Sequence, residues 1–306
     1  MILGTLGHLD FQTFSDAIGL GAIYALMAVG IGLVFGVLRL VNFAYGQLVM
    51  AGAYTLAYTA AWPTWTSILT CFAVVVALSL AMDTVVFRPL RGQSPAVMLV
   101  TTFAIAFMLQ AIALIVDVRD GTIGEVAPAL SSLNEPVTIG GTNVRKLTLV
   151  AIVVAVVALL LLALLLTRTT IGLHTRAAAG DFQTARLLGV RANRVIAFAV
   201  VLSGVLAAVV AVMLTVLQPF VMPNFALQET IIVLVGVVVG GIDRLWTATL
   251  GGFTIGFAYG LINGLLPTDK TVYLPSAVFA LVILVLLLRP AGLFAWGRRA
   301  AVPDRV

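Results

Sequence analysis

The chain has 306 residues, of which 62% are hydrophobic and only 9% charged, with a mean hydropathy of +1.17. A water-soluble domain carries about 25% charged residues, so a soluble enzyme or binding module is excluded and the length divides into membrane spans of about 20 residues each. The single cysteine, Cys71, rules out an internal disulfide and a cysteine-based metal cluster, and the net charge of +5 points to nucleic acid only if its distribution has no other cause.

In chain order the apolar runs fall at 16–38, 42–61, 65–87, 96–116, 147–167, 195–217, 229–242, 245–266 and 272–289. The run 229–242 is too short to cross alone, because a hydrocarbon core of about 30 Å needs about 20 helical residues. Together with 42–61 it is expected to form a broken or re-entrant helix. The fold class is therefore all-α: a polytopic membrane protein with about 8–9 membrane segments, in one transmembrane domain over residues 1–306. No charged stretch or cleavage site accompanies the first run, which reads as a retained helix.

Basic residues set the orientation. Alternation from an N-terminus without Lys or Arg puts thirteen of the 17 basic residues on one side: Arg39, Arg88, Arg91, Arg168, Arg176, Arg186, Arg191, Arg194, Arg244, Arg289, Arg298, Arg299 and Arg305. Only Arg119, Arg145, Lys146 and Lys270 fall on the other. The positive-inside rule makes the rich side cytoplasmic. The N-terminus is then outside, 117–146 is an external loop, and 168–194 and the tail 290–306 are cytoplasmic. Topology accounts for the positive charge, and no nucleic acid is needed.

Within the external loop, Val137–Ile139 and Thr142–Val144 flank Gly140-Gly141, a pattern for a two-residue hairpin. Gly252, Gly256, Gly260 and Gly264 recur every fourth residue, and Gly236 with Gly240 repeats the spacing. Small residues at this interval form one helix face that admits a close neighbour in lipid. Gly240-Gly241 before Asp243 and Arg244 marks a break where a half-helix turns back. Asn42, Gln47, Gln110, Gln218 and Asn263 are neutral polar residues within or beside the spans, expected as interhelical ties, with Asn42, Gln47, Gln110 and Asn263 the candidates for the lining of a path. Asp83 is the one acid set well inside a run, and Glu229, opening an apolar run, suits a helix N-terminus rather than a ligand.

Several chemistries are missing. His8 and His174 are the only histidines and sit in the tail and the basic loop, so a buried Ser–His pair has no base to use. No HExxH or cysteine–histidine metal spacing occurs, and no catalytic residue, metal site or cofactor is expected. "GLLPTDKT" (264–271) resembles a P-loop, but Asp269 would face the phosphates and Pro267 interrupts the loop. An ion-coupled carrier would be expected to hold an ionisable group near the bilayer centre, and Asp83 lies too close to Arg88 to serve.

The stretch "GLHTRAAAGDFQTARLLGVRANRV" (172–195) is polar yet ordered in pattern. Asp181 suits an N-cap. Phe182, Ala185 and Leu188 are spaced to share one face, and Gly189 suits a left-handed stop. The pattern predicts a two-turn helix over about 182–188. Its apolar face would enter a partner's groove while Arg186, Arg191 and Arg194 hold the rim; the alternative is a solvated loop that only anchors the topology.

"VNFAYGQLVMAGAY" (41–54), "RAAAGDFQTARLLGVRANRVIAFAVVLSGVLAAVVAVM" (176–213), "VGGIDRLWTATLGG" (239–252) and "RPAGLF" (289–294) are similar to the branched-chain amino acid ABC transporter permeases of the LivH type. That broader family also holds sugar and urea or short-amide permeases. The resemblance implies an ATP-driven importer in a bacterial plasma membrane. Its implied partners are two cytoplasmic ATPase subunits, a second permease of a different chain and an external substrate-binding protein. It also implies that 182–189 is the coupling helix on the ATPase. The departures are Tyr45 and Gln47 where the family has His and an acid, Gln183-Thr184-Ala185 where Glu-Ala-Ala is usual, and Gly241-Ile242-Asp243-Arg244 in place of a GGxGS turn. Amino-acid cargo is the first expectation; urea, short amides or sugars, or a self-sufficient carrier or channel, are the alternatives.

Overall fold

In lipid every backbone N–H and C=O must be satisfied within its own segment, which drives long apolar runs into helices. A computed structural model describes residues 11–38, 42–90, 93–121, 124–127, 131–139, 142–180, 182–241, 244–289 and 293. The helices are α1 (Phe11–Leu38), α2 (Tyr45–Tyr58), α3 (Thr64–Met82), α4 (Arg88–Leu90), α5 (Pro95–Asp120), α6 (Lys146–Arg168), α7 (Thr170–Gly180), α8 (Phe182–Leu187), α9 (Ala192–Leu217), α10 (Leu227–Gly240), α11 (Leu245–Leu265) and α12 (Leu274–Leu288). A π-helical turn, Asp83–Phe87, joins α3 to α4. Among the described residues seven helical segments are long and apolar enough to cross a membrane.

The bundle has two chemically distinct ends. At the hairpin end, β2 (Pro136–Ile139) pairs antiparallel with β3 (Thr142–Arg145), Ile139 opposite Thr142. That register leaves the two-residue connection expected at 140–141, which itself lies outside the described residues. A second short pair joins β1 (Glu125–Val126) to β4 (Phe220–Val221) and ties the region after α5 to the end of α9. At the opposite, basic end stand Arg88, Arg168, Arg176, Arg191, Arg194, Arg244 and Arg289.

The centre of the bundle is α1, mostly buried and packed along its length against α11. The glycine ladder sets that distance. A Cβ at Gly252 would meet Tyr24 O at 2.8 Å, one at Gly256 would meet Tyr24 Cβ at 2.7 Å, and one at Gly260 would meet Ala17 Cα at 2.5 Å. At Gly264 it would collide with Thr13. The partners descend along α1 as the glycines climb α11, so the helices run antiparallel. Hydroxyls tie other crossings: Ser79 Oγ donates to Val200 O at 2.7 Å, and Ser203 Oγ donates to Gly30 O at 2.7 Å.

Three details depart from the sequence expectations. α5 begins at a Ser94 cap with Pro95 in its first turn and continues past the apolar run to Asp120. Gly121, at φ 74°, stops it. Asp117 is thus a second acid inside a helix. It is fully buried and accepts from Tyr54 Oη at 2.7 Å and Gly124 N at 3.0 Å. Asp83 is buried too, ion-paired with Arg88 at 3.0 Å. Finally, α7 turns the first half of the basic loop into a helix of its own.

Candidate functional site

Two places in the bundle hold polar groups that simple packing does not use. The first is where α2 and α10 begin. Each has 14 residues and, at 1.5 Å per residue, spans only about 21 Å of a core of about 30 Å. α2 starts from a turn in which Asn42 Oδ1 accepts the Ala44 N–H at 3.0 Å. Tyr45 follows, and its ring fills the space Gly30 leaves open; a Cβ there would stand 2.7 Å from Tyr45 Cζ. Next, Gly46 lets the start of α10 approach: its Cβ would lie 2.5 Å from Thr230 Oγ1 and 2.8 Å from Ala226 O.

The two short helices therefore meet N-terminus to N-terminus. Neither N-cap has a side-chain hydrogen bond; turn carbonyls take Tyr45 N–H (Asn42 O, 3.3 Å), Gln47 N–H (Ala44 O, 3.1 Å) and Leu227 N–H (Asn224 O, 3.0 Å), and both helices direct the positive ends of their dipoles to the same region. From there α2 runs to the hairpin end, where Tyr54 and Tyr58 donate to Asp117 and Asp120. α10 runs to Gly240, whose Cβ would lie 2.8 Å from Gly251 Cα, and stops at Gly241 with φ 103°. Irregular backbone of this kind is tolerated at depth where it faces protein or a cavity.

A cavity of about 450 Å³ opens beside the junction, between β4, the first turn of α10 and Tyr259 of α11. Gln218, Asn224, Gln228 and Glu229 supply its polar wall, and Phe220, Met222, Phe225, Leu227 and Ile231 its apolar wall. Gln218 Nε2 donates to Glu229 Oε1 at 3.3 Å, while Glu229 Oε2 is sealed and has no hydrogen-bond partner among the described residues. A smaller cavity of about 130 Å³ lies nearer the hairpin, where Arg145 pairs with Asp16 at 3.6 Å.

The expected path residues do not share one cavity. Asn42 and Gln47 are buried at the start of α2, Gln47 Oε1 without a partner. Gln110 sits half-buried on α5. Asn263 lines the small cavity. Glu229, read from sequence as a helix start only, lines the large one; the available signal was a carboxylate opening an apolar run too short to span.

The second place is the basic end. α8 covers Phe182–Leu187, and Gly189 at φ 88° ends it in the left-handed region. Asp181, and the side chains of Phe182 and Arg186, lie outside what the structure describes. Ala185 is buried at 4% exposure, whereas Leu187 and Leu188 stand 88% and 80% exposed. The helix agrees with the expected 182–188 to within one residue, and the Leu188 N–H still donates to Thr184 O at 3.1 Å, so Leu188 keeps helical spacing from Ala185. Beside it a pocket of about 340 Å³ gathers His174, Gly189, Arg191 and Arg194.

A family model described as "Branched-chain amino acid transport system / permease component" matches residues 13–288. The high-affinity branched-chain amino acid transport system permease protein BraD of Pseudomonas aeruginosa is 29% identical over 294 residues, 92% of this chain and 94% of the relative. LivH of Escherichia coli K12, of the same description, is 28% identical over 298 residues, with the same coverage. A probable branched-chain amino acid transport permease protein LivH of Methanocaldococcus jannaschii is 26% identical over 313 residues, 96% of this chain and 94% of the relative. No solved structure matches the chain. With a helical bundle broken at α2 and α10 and a family match over nearly its whole length, the chain belongs to the permease components of branched-chain amino acid transport systems.

Proposed function

We propose that this chain forms the translocation path of an ATP-driven importer in a bacterial plasma membrane, carrying branched-chain or related hydrophobic amino acids. The hairpin end faces outside and receives cargo from a binding protein; the basic end faces the cytoplasm. There two ATPase subunits dock, and a second permease of a different chain completes the membrane pair. Energy enters through α8 and the turn after it. The observation that carries this reading is the Leu187–Leu188 pair, exposed at the tip of a short helix that Gly189 holds in place. Two adjacent leucines in water at the end of a membrane protein call for an apolar groove on a partner. Asp181, Phe182, Ala185 and Arg186 belong to the same contact by their place in the helix. The apolar wall of the large cavity fits a conduit.

Replacing Leu187 and Leu188 together by Asp tests the reading. Uptake should fall by about tenfold or more, since two apolar anchors are removed from a docking contact, while the amount of inserted protein stays that of wild type. Normal uptake by that variant would sink the coupling role. Competition tests the cargo: leucine, isoleucine and valine should displace labelled substrate, whereas displacement only by urea or a pentose would overturn the amino-acid assignment.

A further inference from the structure

We propose that the 340 Å³ pocket at the basic end, where α7 and α9 begin, binds the phosphate of an anionic phospholipid. Bound there, the headgroup pins the turn that follows α8. The site goes beyond the importer reading and does not need it; only the use made of a pinned turn rests on that reading.

The argument begins with charge. Arg191, the N-cap of α9, and Arg194, in its first turn, line the pocket together with His174 and Thr170 of α7. No acid lines it, and among the described residues neither arginine pairs with a carboxylate. Two guanidinium groups in one concavity repel each other until an anion joins them. Their planar forks match phosphate oxygens, and the Thr170 hydroxyl can add a donor. The 26-residue α9 directs the positive end of its dipole to the same place.

Depth and surroundings identify the source of the phosphate. The span of α6 ends at Arg168, just before Thr170, and the span of α9 opens at Asn193. The pocket therefore lies at the level where two spans reach the headgroups. The last turns of α6 expose Leu160, Leu161 and Leu164, and α7 exposes Leu173 next to His174. A phospholipid offers a phosphate to the pocket and acyl chains to that apolar surface, whereas inorganic phosphate or a nucleotide offers only the first. Basic pockets between membrane helices suit anionic headgroups for this reason. Arg191 and Arg194, expected from sequence at the rim of a partner's groove, are assigned to lipid in its place.

The pocket also reaches the turn after α8. Gly189, at φ 88°, forms part of its wall, and the exposed Leu187 and Leu188 precede that residue directly. A headgroup held between α7 and the start of α9 ties this turn to the ends of two spans.

The test uses the full-length chain in nanodiscs of phosphatidylcholine, alone or mixed with phosphatidylglycerol. A phosphatidylglycerol carrying a photoreactive group beside its phosphate should cross-link to residues 170–174 and 189–195. Unlabelled phosphatidylglycerol should compete, and phosphatidylcholine and inorganic phosphate should not. Phosphatidylglycerol should also slow amide exchange at 187–190, since a bound ligand stabilises what it holds. This readout on the wild-type chain needs no variant to fold.

Native mass spectrometry of retained lipid then tests the side chains. The double variant Arg191→Gln with Arg194→Gln should lose about tenfold or more of the preference for phosphatidylglycerol over phosphatidylcholine. The double Lys variant should keep most of it, and Arg289→Gln, at the same end of the bundle, should keep all of it. Cross-links confined to other basic segments, a preference unchanged in the double Gln variant, or displacement by inorganic phosphate overturns the lipid site. Loss of the cross-link when ATPase subunits are bound gives the arginines to an acidic rim on that partner and overturns it too. Each of these results leaves the importer reading standing, because that reading is tested separately by uptake in the Leu187 and Leu188 variant.

Discussion

The seam between α1 and α11 and the junction between α2 and α10 are both built on glycine, to opposite ends. Along the seam, Gly252, Gly256, Gly260 and Gly264 remove side chains so that two long helices lie in contact, and no buried polar side-chain atom without a partner lies along it among the described residues. At the junction, Gly46 brings two helix starts together, and polar atoms are left over: Tyr45 Oη, Gln47 Oε1 and Glu229 Oε2 are buried without partners. All three belong to the first turns of the short helices. Tight packing in lipid needs small faces and satisfied backbone, whereas a site that must bind and release keeps unsatisfied groups for its ligand. On the proposed reading the seam is scaffold and the junction is the working part.

Substitutions can break this contrast or sharpen it. The largest effect belongs to Gly256→Leu, which drives a side chain into Tyr24 and the Gly21 backbone. The folded protein recovered from membranes should collapse, since overpacking of this kind costs about 1–3 kcal/mol or more; wild-type recovery would show the seam to be slack. Gly46→Ala should behave differently. Its methyl group meets Thr230 and the Ala226 carbonyl, so we expect near-normal insertion with uptake reduced several-fold, and equal losses of both would erase the distinction.

Tyr54→Phe unties the hairpin end of α2 from Asp117, already short of one partner. It should lower stability by about 1–3 kcal/mol, read as a lower melting temperature in detergent. Gly36→Ala is the contrasting case on α1. No atom lies within 4 Å of its would-be Cβ, so the change should be neutral or stabilising by up to about 1 kcal/mol.

Outside both regions the smallest effect concerns pH. Lys146 Nζ donates to Glu135 at 2.7 Å and holds that exposed carboxyl below its usual range. A depressed carboxylate pKa means the tie is complete above the ordinary carboxylate range and is lost as pH falls through the lowered value. Amide exchange in the 136–145 hairpin should speed up in acid, and Glu135→Gln should show the faster exchange already at neutral pH.

The seam was legible in sequence because four-residue spacing of glycines translates directly into one helix face. The hairpin was legible because two β-prone triplets flank a glycine pair. The shortness of 229–242 announced a half-helix, but length alone cannot say which neighbour its N-terminus meets, and Gly46 lies 184 positions away from Thr230 in the chain. For the same reason Glu229 read as a helix start and nothing more. The end of the apolar run at 116 predicts a loop from Asp117; the helix instead continues to Asp120, with Tyr54, on another element, donating to the acid.

The central claim is that this chain conducts amino acids only when ATP is spent beside it. Uptake of labelled leucine into proteoliposomes holding the purified complex tests this most directly, with the binding protein outside and ATP either enclosed or omitted. The account predicts accumulation above the external concentration with ATP and none without it. Uptake that proceeds equally without ATP and stops at equilibrium would contradict the account and make the bundle a channel or carrier in its own right.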